Sequence, residues 1–267
     1  MRRSIAALLS VTALAATGCA VSNAASAPPT PVASTPAPAP RPTASPGLER
    51  RAPAQVVHTI DTKKKVVFLT IDDGLDPDPA LLQYLKDNNI PVTVFLTTGT
   101  VADWQYWKDI APVASIQNHS IKHPALPGLG QAGAEAEICG ANKAIVANTG
   151  TTPWMMRPPY GAYNESTLAA AGDCGMDYAV HWSVSLPGDV LEYQMVGGSL
   201  EPGDIILTHF RKDLASVLPK VIEDIHAQGF ELARLEDYLT PRGWPKPAAT
   251  TDTQMETATE SRAYPVG

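Results

Sequence analysis

The stretch VVFLTIDDG, residues 66–74, sets the reading of the whole chain. Its unbroken run of apolar and β-branched residues predicts a strand buried on both faces, the usual condition of a central parallel strand in an α/β protein. Asp72 and Asp73 stand where that strand ends, and Gly74 lets the backbone turn sharply after them. Neighbouring residues at a strand end point in different directions, so the two carboxylates are free to take different roles, one toward a cation and one toward a proton. Asp-Asp-Gly is also ordinary turn chemistry after a strand, and the rest of the chain has to discriminate between the two.

The ends of the 267-residue chain bound the problem. Basic Arg2 and Arg3 precede an apolar run over residues 5–16, which fits a secretory signal and is too short for a permanent membrane span. Ala16-Thr17-Gly18-Cys19 resembles a bacterial lipobox, in which Cys19 is lipidated and becomes the first mature residue; cleavage near Ala25, giving a freely secreted product, is the alternative. The expected organisation is a signal at residues 1–18 and a Pro/Ala/Ser/Thr-rich disordered linker at 19–53. One folded domain follows at 54–241, and a disordered tail at 242–267. The protein is expected to be exported, either held on the bacterial cell membrane facing the wall through its lipid anchor or secreted, and to be monomeric. A formal net charge of −7 without a basic cluster argues against nucleic acid as a partner and is compatible with a neutral polymer. Of three cysteines Cys19 belongs to the export signal, leaving Cys139 and Cys174 as an even pair in an oxidising compartment, which reads as a disulfide.

Along the domain, residues 79–88 carry helical periodicity with Asp76 and Asp78 near the start, and residues 91–97 form a second buried strand. Strand, helix, strand in this rhythm implies a right-handed crossover and a parallel sheet. A helix with Trp104, Tyr106 and Trp107 follows, whose aromatics suit either half-buried packing, the favoured reading, or a sugar platform. A short strand at 115–118 leads into His119 and His123, which share a face if that segment makes a helical turn and then suit a divalent metal. Residues 131–148 read as a helix, 152–156 as a strand ending in the stiff turn Arg157-Pro158-Pro159-Tyr160-Gly161, 164–171 as a helix and 177–182 as a strand. Residues 183–201 carry no clear pattern. A buried strand at 204–208 delivers His209 to its carboxyl end, a helix covers 213–228, and residues 230–234 close the sheet. About seven strand-helix units of this kind fit an α/β barrel better than an open sheet, with the polar groups gathered at strand ends where such folds place their sites.

TIDDG at residues 70–74, HSIKH at 119–123, RPPYG at 157–161 and DIILTH at 204–209 occur together in this order. In this the chain resembles the polysaccharide deacetylases of the NodB-homology family, also called carbohydrate esterase family four, over essentially the whole domain, including the helix with Glu137 and Ile138. The resemblance implies a distorted (β/α) barrel and one divalent metal, Zn first with Co, Mn or Ni as alternatives, held by Asp73, His119 and His123. It implies Asp72 as catalytic base, Arg157 holding Asp72 in place, the Tyr160 backbone N–H on the oxyanion, and His209 as general acid. Leu207 would line a pocket for the acetyl methyl, and Trp182 and Tyr160 would face the substrate. Where the family has a Trp-x-x-Asp-x-x-Asp-Trp pattern this chain has WSVSLPGD at 182–189, so the acids that help set the histidine are lost or shifted, and Asp189 is the candidate that remains.

Chemistry supports that division independently. A metal with three protein ligands keeps open positions, acidifying a water toward a pKa of roughly 7 and polarising an amide carbonyl. An N–H donor on the developing oxyanion contributes on the order of 3 kcal/mol. An amine leaves only once protonated, and histidine is the residue type to do that near neutral pH. The expected activity is removal of N-acetyl groups from cell-envelope glycan, peptidoglycan first, with chitin oligosaccharides or acetylated xylan as the runner-up substrates. A catalytically weak glycan-binding module is the competing reading from another class.

Overall fold

The computed structural model describes residues 51–194 and 198–242. The expected signal, Cys19, most of the linker and nearly all of the tail lie outside these residues. In chain order the elements are β1 Gln55–Val57, β2 Val66–Asp73, α1 Pro79–Asp87, β3 Val92–Leu96, α2 Trp104–Ile110, β4 Ala114–Asn118, α3 Gly130–Thr149 and β5 Met155–Met156. They continue with α4 Glu165–Asp173, β6 Tyr178–Val180, β7 Val184–Ser185, β8 Glu192–Tyr193, β9 Ile205–His209, α5 Leu214–Ala227 and β10 Glu231–Leu232.

Strand β2 is central, as its apolar run demands: β3 and β9 flank it in parallel, and β10 pairs with its first residues. The sheet order is β1-β6-β5-β4-β3-β2-β9-β7-β8, parallel throughout except at the β7–β8 hairpin. Strands β6 and β7 stand near opposite ends of that order yet are joined by residues 181–183 alone. So short a connection is possible only if the sheet curls until its ends meet. The backbone bonds show this closure: His181 N–H donates to Val57 O on β1, and Ser183 N–H to Ile205 O on β9. The result is the expected distorted (β/α) barrel. Among the described residues it carries five α-helices, and after β6 the chain forms the β7–β8 hairpin, Val184–Ser185 with Glu192–Tyr193, in place of a helix.

Alternation along β2 separates two cores. Val67, Leu69 and Ile71 face outward onto Leu81, Leu85, Trp107, Ile110 and the apolar stripe of α5, whereas Phe68 points into the barrel against Phe95, Met155, Val180 and Ile205. Each such buried side chain contributes about 1.5–3 kcal/mol, and truncating fully enclosed Leu69 to alanine would cost about 2–5 kcal/mol. Thr70 and Asp72 continue the inner face, so the strand that builds the core also places a carboxylate inside the barrel, where it meets Arg157.

The helices start and stop where side chains satisfy their ends. Asp78 caps α1 by accepting from Ala80 N–H, and α3 ends at Gly150, in the left-handed conformation. Trp107 is buried against Phe210, and Tyr106 donates its hydroxyl to Asp78 O, so the aromatics of α2 are packing residues and the sugar-platform alternative is not realised. Helix α3 presents Ala134, Ile138, Ala141 and Ile145 as a narrow buried stripe, and Cys139 beside it is disulfide-bonded to Cys174 at the end of α4, as expected. At the opposite end of the barrel from Asp72, the carboxylate of Asp177 takes Arg51 and the backbone N–H of Arg242, while the Arg242 guanidinium bonds Ala52 O and Pro53 O. Both ends of the described domain are therefore clasped on the face away from the strand carboxyl ends.

Candidate active site

Asp72, on the inner face at the end of β2, is nearly enclosed, and its Oδ1 accepts from Arg157 Nη1 at 2.7 Å. Arg157, carried out of β5, is entirely buried. Its Nη1 also donates to Thr70 Oγ1 at 2.8 Å, Nε to Val180 O at 3.1 Å and Nη2 to His181 O at 2.9 Å. The guanidinium lies over the Phe95 ring at 4.4 Å and beside Trp182 at 5.7 Å. Burial pushes the Arg157 pKa down and the Asp72 charge opposes it. A buried charge so fully hydrogen-bonded is a rigid brace that holds one carboxylate oxygen and leaves the other facing the site. Trp182 is half-buried and walls this brace.

Asp73 occupies an outward-facing position in the strand alternation, but its backbone is left-handed, with φ 73°, and this brings its carboxylate around to the histidines. Asp73 Oδ1 is 3.5 Å from His119 Nε2 and 3.6 Å from His123 Nε2, and the donor atoms of the three residues all lie within 4.8 Å of one another. Gly74 follows at φ 82°, where a Cβ would come within 2.6 Å of Leu96 and 2.8 Å of Trp107.

His119 Nδ1 lies 2.7 Å from Arg157 O. A carbonyl only accepts, so Nδ1 carries the proton and the Nε2 lone pair faces the carboxylates. Burial lowers the His119 pKa, against the opposing pull of Asp72, and keeps the ring in the neutral form that ligates metals. Two acceptors, Nε2 and Asp73 Oδ1, thus face each other at 3.5 Å, an arrangement that calls for a cation between them. The residues fit a divalent metal with three protein ligands.

The two histidines do not share a helical turn. Residues 119–123 form an irregular loop in which Ser120 and His123 have φ of 67° and 58°. Side chains and neighbouring backbone shape it. Asn118 Oδ1 accepts from Ser120 N–H, Ser120 Oγ from His123 N–H, Ser120 O from Thr98 N–H and Ile121 O from Gly99 N–H. Spacing alone suggested a helix; the hydrogen-bond partners of the loop override it.

Tyr160 is also left-handed, at φ 60°. Its backbone N–H has no acceptor among the described residues, and its ring, 71% exposed, rests edge-on against His123 at 4.5 Å. His209 ends β9 directly across the ladder from Asp72, with an exposed side chain and no hydrogen-bond or ion-pair partner among the described residues. Leu207, in register with Thr70, lies two residues earlier on the same face. Asp189 does not supply the missing acid: it is exposed and lies in the field of Lys220 on α5. In the altered segment Ser183 Oγ donates to Asp204 Oδ1 at 2.7 Å, and Gln194 Nε2 to Ser185 Oγ at 3.3 Å.

Sequence reading missed four contributors. Thr70 was visible only as the one polar residue inside a buried run, and Asn118 as an amide at a strand end. Glu137 was visible only as part of the helix that the family resemblance covers, with no role attached to it. His181, next to Trp182, is buried with its Nε2 unpartnered among the described residues, its ring 4.5 Å from that of His58 and stacked on Trp182. Burial, with His58 and Arg157 adding to it, lowers its pKa to about 4.

A curled parallel sheet with an Asp-His-His cluster and a braced carboxylate at its carboxyl ends places the chain among the (β/α) barrels whose sites lie on that face. More narrowly, the chain belongs to the polysaccharide deacetylase family, the NodB-homology group of carbohydrate esterase family four; the family's sequence profile matches residues 59–179. An uncharacterised protein of Streptomyces coelicolor is 40% identical over 71% of this chain and 79% of its own. A chitooligosaccharide deacetylase of Sinorhizobium fredii is 30% identical over 63% of this chain and 89% of its own. A peptidoglycan-N-acetylglucosamine deacetylase of Listeria monocytogenes is 27% identical over 65% of this chain and 38% of its own. Among solved structures, a mutant of a Bacillus anthracis pseudoenzyme of this family with restored enzymatic activity superposes with a TM-score of 0.62. It is 26% identical, covering 71% of this chain and 72% of that one.

Proposed function

We propose that this protein is a metal-dependent hydrolase that removes N-acetyl groups from the amino sugars of peptidoglycan. The observation that carries the reading is the pair of facing acceptors, His119 Nε2 and Asp73 Oδ1, beside a carboxylate held by Arg157. Because the family includes pseudoenzymes, membership alone does not imply turnover; the complete set Asp72, Asp73, His119, His123 and Arg157 does the arguing.

Asp73, His119 and His123 would hold the metal, with Zn²⁺ favoured by the mixed nitrogen and oxygen donors; it would supply Lewis acidity at the scissile amide. Asp72, kept in register by Arg157, takes the proton of the attacking water through the oxygen that Arg157 leaves free. The Tyr160 N–H, without an acceptor among the described residues, donates to the oxygen that gains charge. His209, across the ladder from Asp72, returns a proton to the departing amine, and Leu207 receives the acetyl methyl. Trp182 stiffens the Arg157 side of the groove.

Peptidoglycan is favoured over chitin oligosaccharides because Cys19 and the linker read as a lipid anchor and a stalk, which keep the domain beside the wall. The Listeria relative's name supports that substrate, and the Sinorhizobium relative's name the alternative. Acetate release from peptidoglycan, chitin oligomers and acetylxylan, with and without a chelator, tests the proposal. Peptidoglycan should be the best substrate and the chelator should abolish release; no release from any of the three by metal-loaded protein would leave a glycan-binding module. Mass spectrometry of the mature N-terminus should find lipid on Cys19, and an unlipidated start near Ser26 would indicate secretion.

A further inference from the structure

We infer that Glu137 is a positioning residue for the cation site: from α3, its carboxylate sets the separation of His119 and His123. The inference rests on the reading of Asp73, His119 and His123 as metal ligands.

The backbone N–H groups of Ile121 and Lys122, which lie between the two histidines, both donate to the same atom, Glu137 Oε2, at 3.0 and 2.8 Å. Among the described residues they have no other acceptor. Bonds from amides to an ionised oxygen are about twice as strong as neutral ones. The loop needs such a hold, because Ser120 and His123 are non-glycine residues at positive φ, and such conformations persist only where their surroundings impose them.

Contacts on the strand side fix the start of the loop: the His119 ring is tied to Arg157 O, and Thr98 and Gly99 hold the carbonyls of Ser120 and Ile121. The far end, with His123, is held to the body of the protein from α3. Glu137 grips the backbone there, and one helical turn later Gly140 leaves a notch for Ile121, where a Cβ would lie 2.5 Å from Ile121 Cδ1. The helix is itself immobilised. Asn118 Nδ2 donates to Ile138 O and Asn142 Oδ1, Asn142 Nδ2 donates to Cys174 O, and the Cys139–Cys174 disulfide joins α3 to α4. Glu137 therefore transmits a fixed helix position to a loop that carries one ligand at each end. Without it His119 keeps its place and His123, the more exposed ligand, loses its reference.

Zinc affinity of the full mature chain, measured by competition with a chromophoric chelator, tests this in wild type, Glu137→Ala and Glu137→Gln, beside the thermal midpoint of each metal-free protein. Glu137→Ala should bind zinc about 10- to 100-fold more weakly. Glu137→Gln, whose amide oxygen can accept both N–H groups, should recover most of the affinity. Wild-type affinity in Glu137→Ala, with or without a lowered metal-free midpoint, would reduce Glu137 to a structural cap and overturn the inference alone. No zinc binding by the wild type would overturn the ligand assignment beneath it. Should Glu137→Ala fail to fold, Glu137→Asp, one methylene short of the loop, reads the same shift, and unchanged affinity there is equally refuting.

Discussion

Replacing His181 with phenylalanine should remove a specific acid sensitivity from the fold. In the folded protein the ring is wedged between His58, Tyr163 and Trp182, its Nε2 is shut from water without a partner, and the Arg157 charge is close. Its pKa is lowered from 6.5 to about 4. Below pH 6.5 the unfolded chain takes up a proton that the folded chain refuses, so stability is flat above that pH, falls as pH drops toward 4, and levels again below. At about 1.4 kcal/mol per pH unit the ceiling is about 3 kcal/mol, and because the exposed His58 leaves one side of the ring near water, about 2 kcal/mol is the working figure. Urea unfolding of wild type and His181→Phe at several pH values between 4 and 7.5 measures the difference directly. The variant should gain on the wild type by about 2 kcal/mol between pH 6.5 and 4, and above pH 6.5 should be equal or slightly more stable, since an unsatisfied buried nitrogen is gone. Parallel stability curves over that range would refute the burial argument.

Asp72→Asn should retain metal and lose on the order of 10²- to 10⁴-fold in acetate release. Asp72→Ala should in addition lower stability by about 3–5 kcal/mol, because it strands the Arg157 guanidinium in the barrel; chemical denaturation separates the two effects. His209→Ala, removing no ligand, should keep its metal by elemental analysis while turnover falls on the order of 10²- to 10⁴-fold; loss of metal together with activity would make His209 a ligand. Reducing the Cys139–Cys174 bond should cost about 3–4 kcal/mol for a loop of 35 residues, read as a shift of the unfolding midpoint between oxidised protein and a Cys139→Ser/Cys174→Ser variant.

The altered segment after Trp182 bears on how this family member works. Among the described residues Asp72 is the carboxylate that pairs with the buried Arg157 guanidinium, and the remaining bonds of the guanidinium go to neutral oxygens of Thr70, Val180 and His181. The brace thereby becomes dependent on a single ion pair. The same segment closes the barrel between β6 and β7, so its backbone bonds are required for the fold whichever side chains it carries.

Local pattern carried the features that neighbours in the chain decide. An apolar run made β2 a buried central strand, its end put two carboxylates at the carboxyl face, and strand–helix rhythm made the sheet parallel. With Cys19 assigned to the expected export signal, the two remaining cysteines were left as one pair to join. The order of the four polar motifs then assigned the family. Features that depend on residues distant in the chain emerged with the folded arrangement. Asp73 meets the histidines because its backbone turns left-handed, which no periodicity foretells. The loop that carries the two histidines is irregular because Thr98, Gly99 and Glu137 take its backbone groups, and the His119 tautomer is set by a carbonyl 38 residues away. Asp189 was free to face Lys220 instead of His209, and His181 acquired its orphaned nitrogen only when β1 and β6 paired. Burial and hydrogen-bond partners are properties of surroundings, and in a barrel those surroundings are assembled from segments as far apart as Asp72 and Arg157, 85 residues in sequence and 2.7 Å in space.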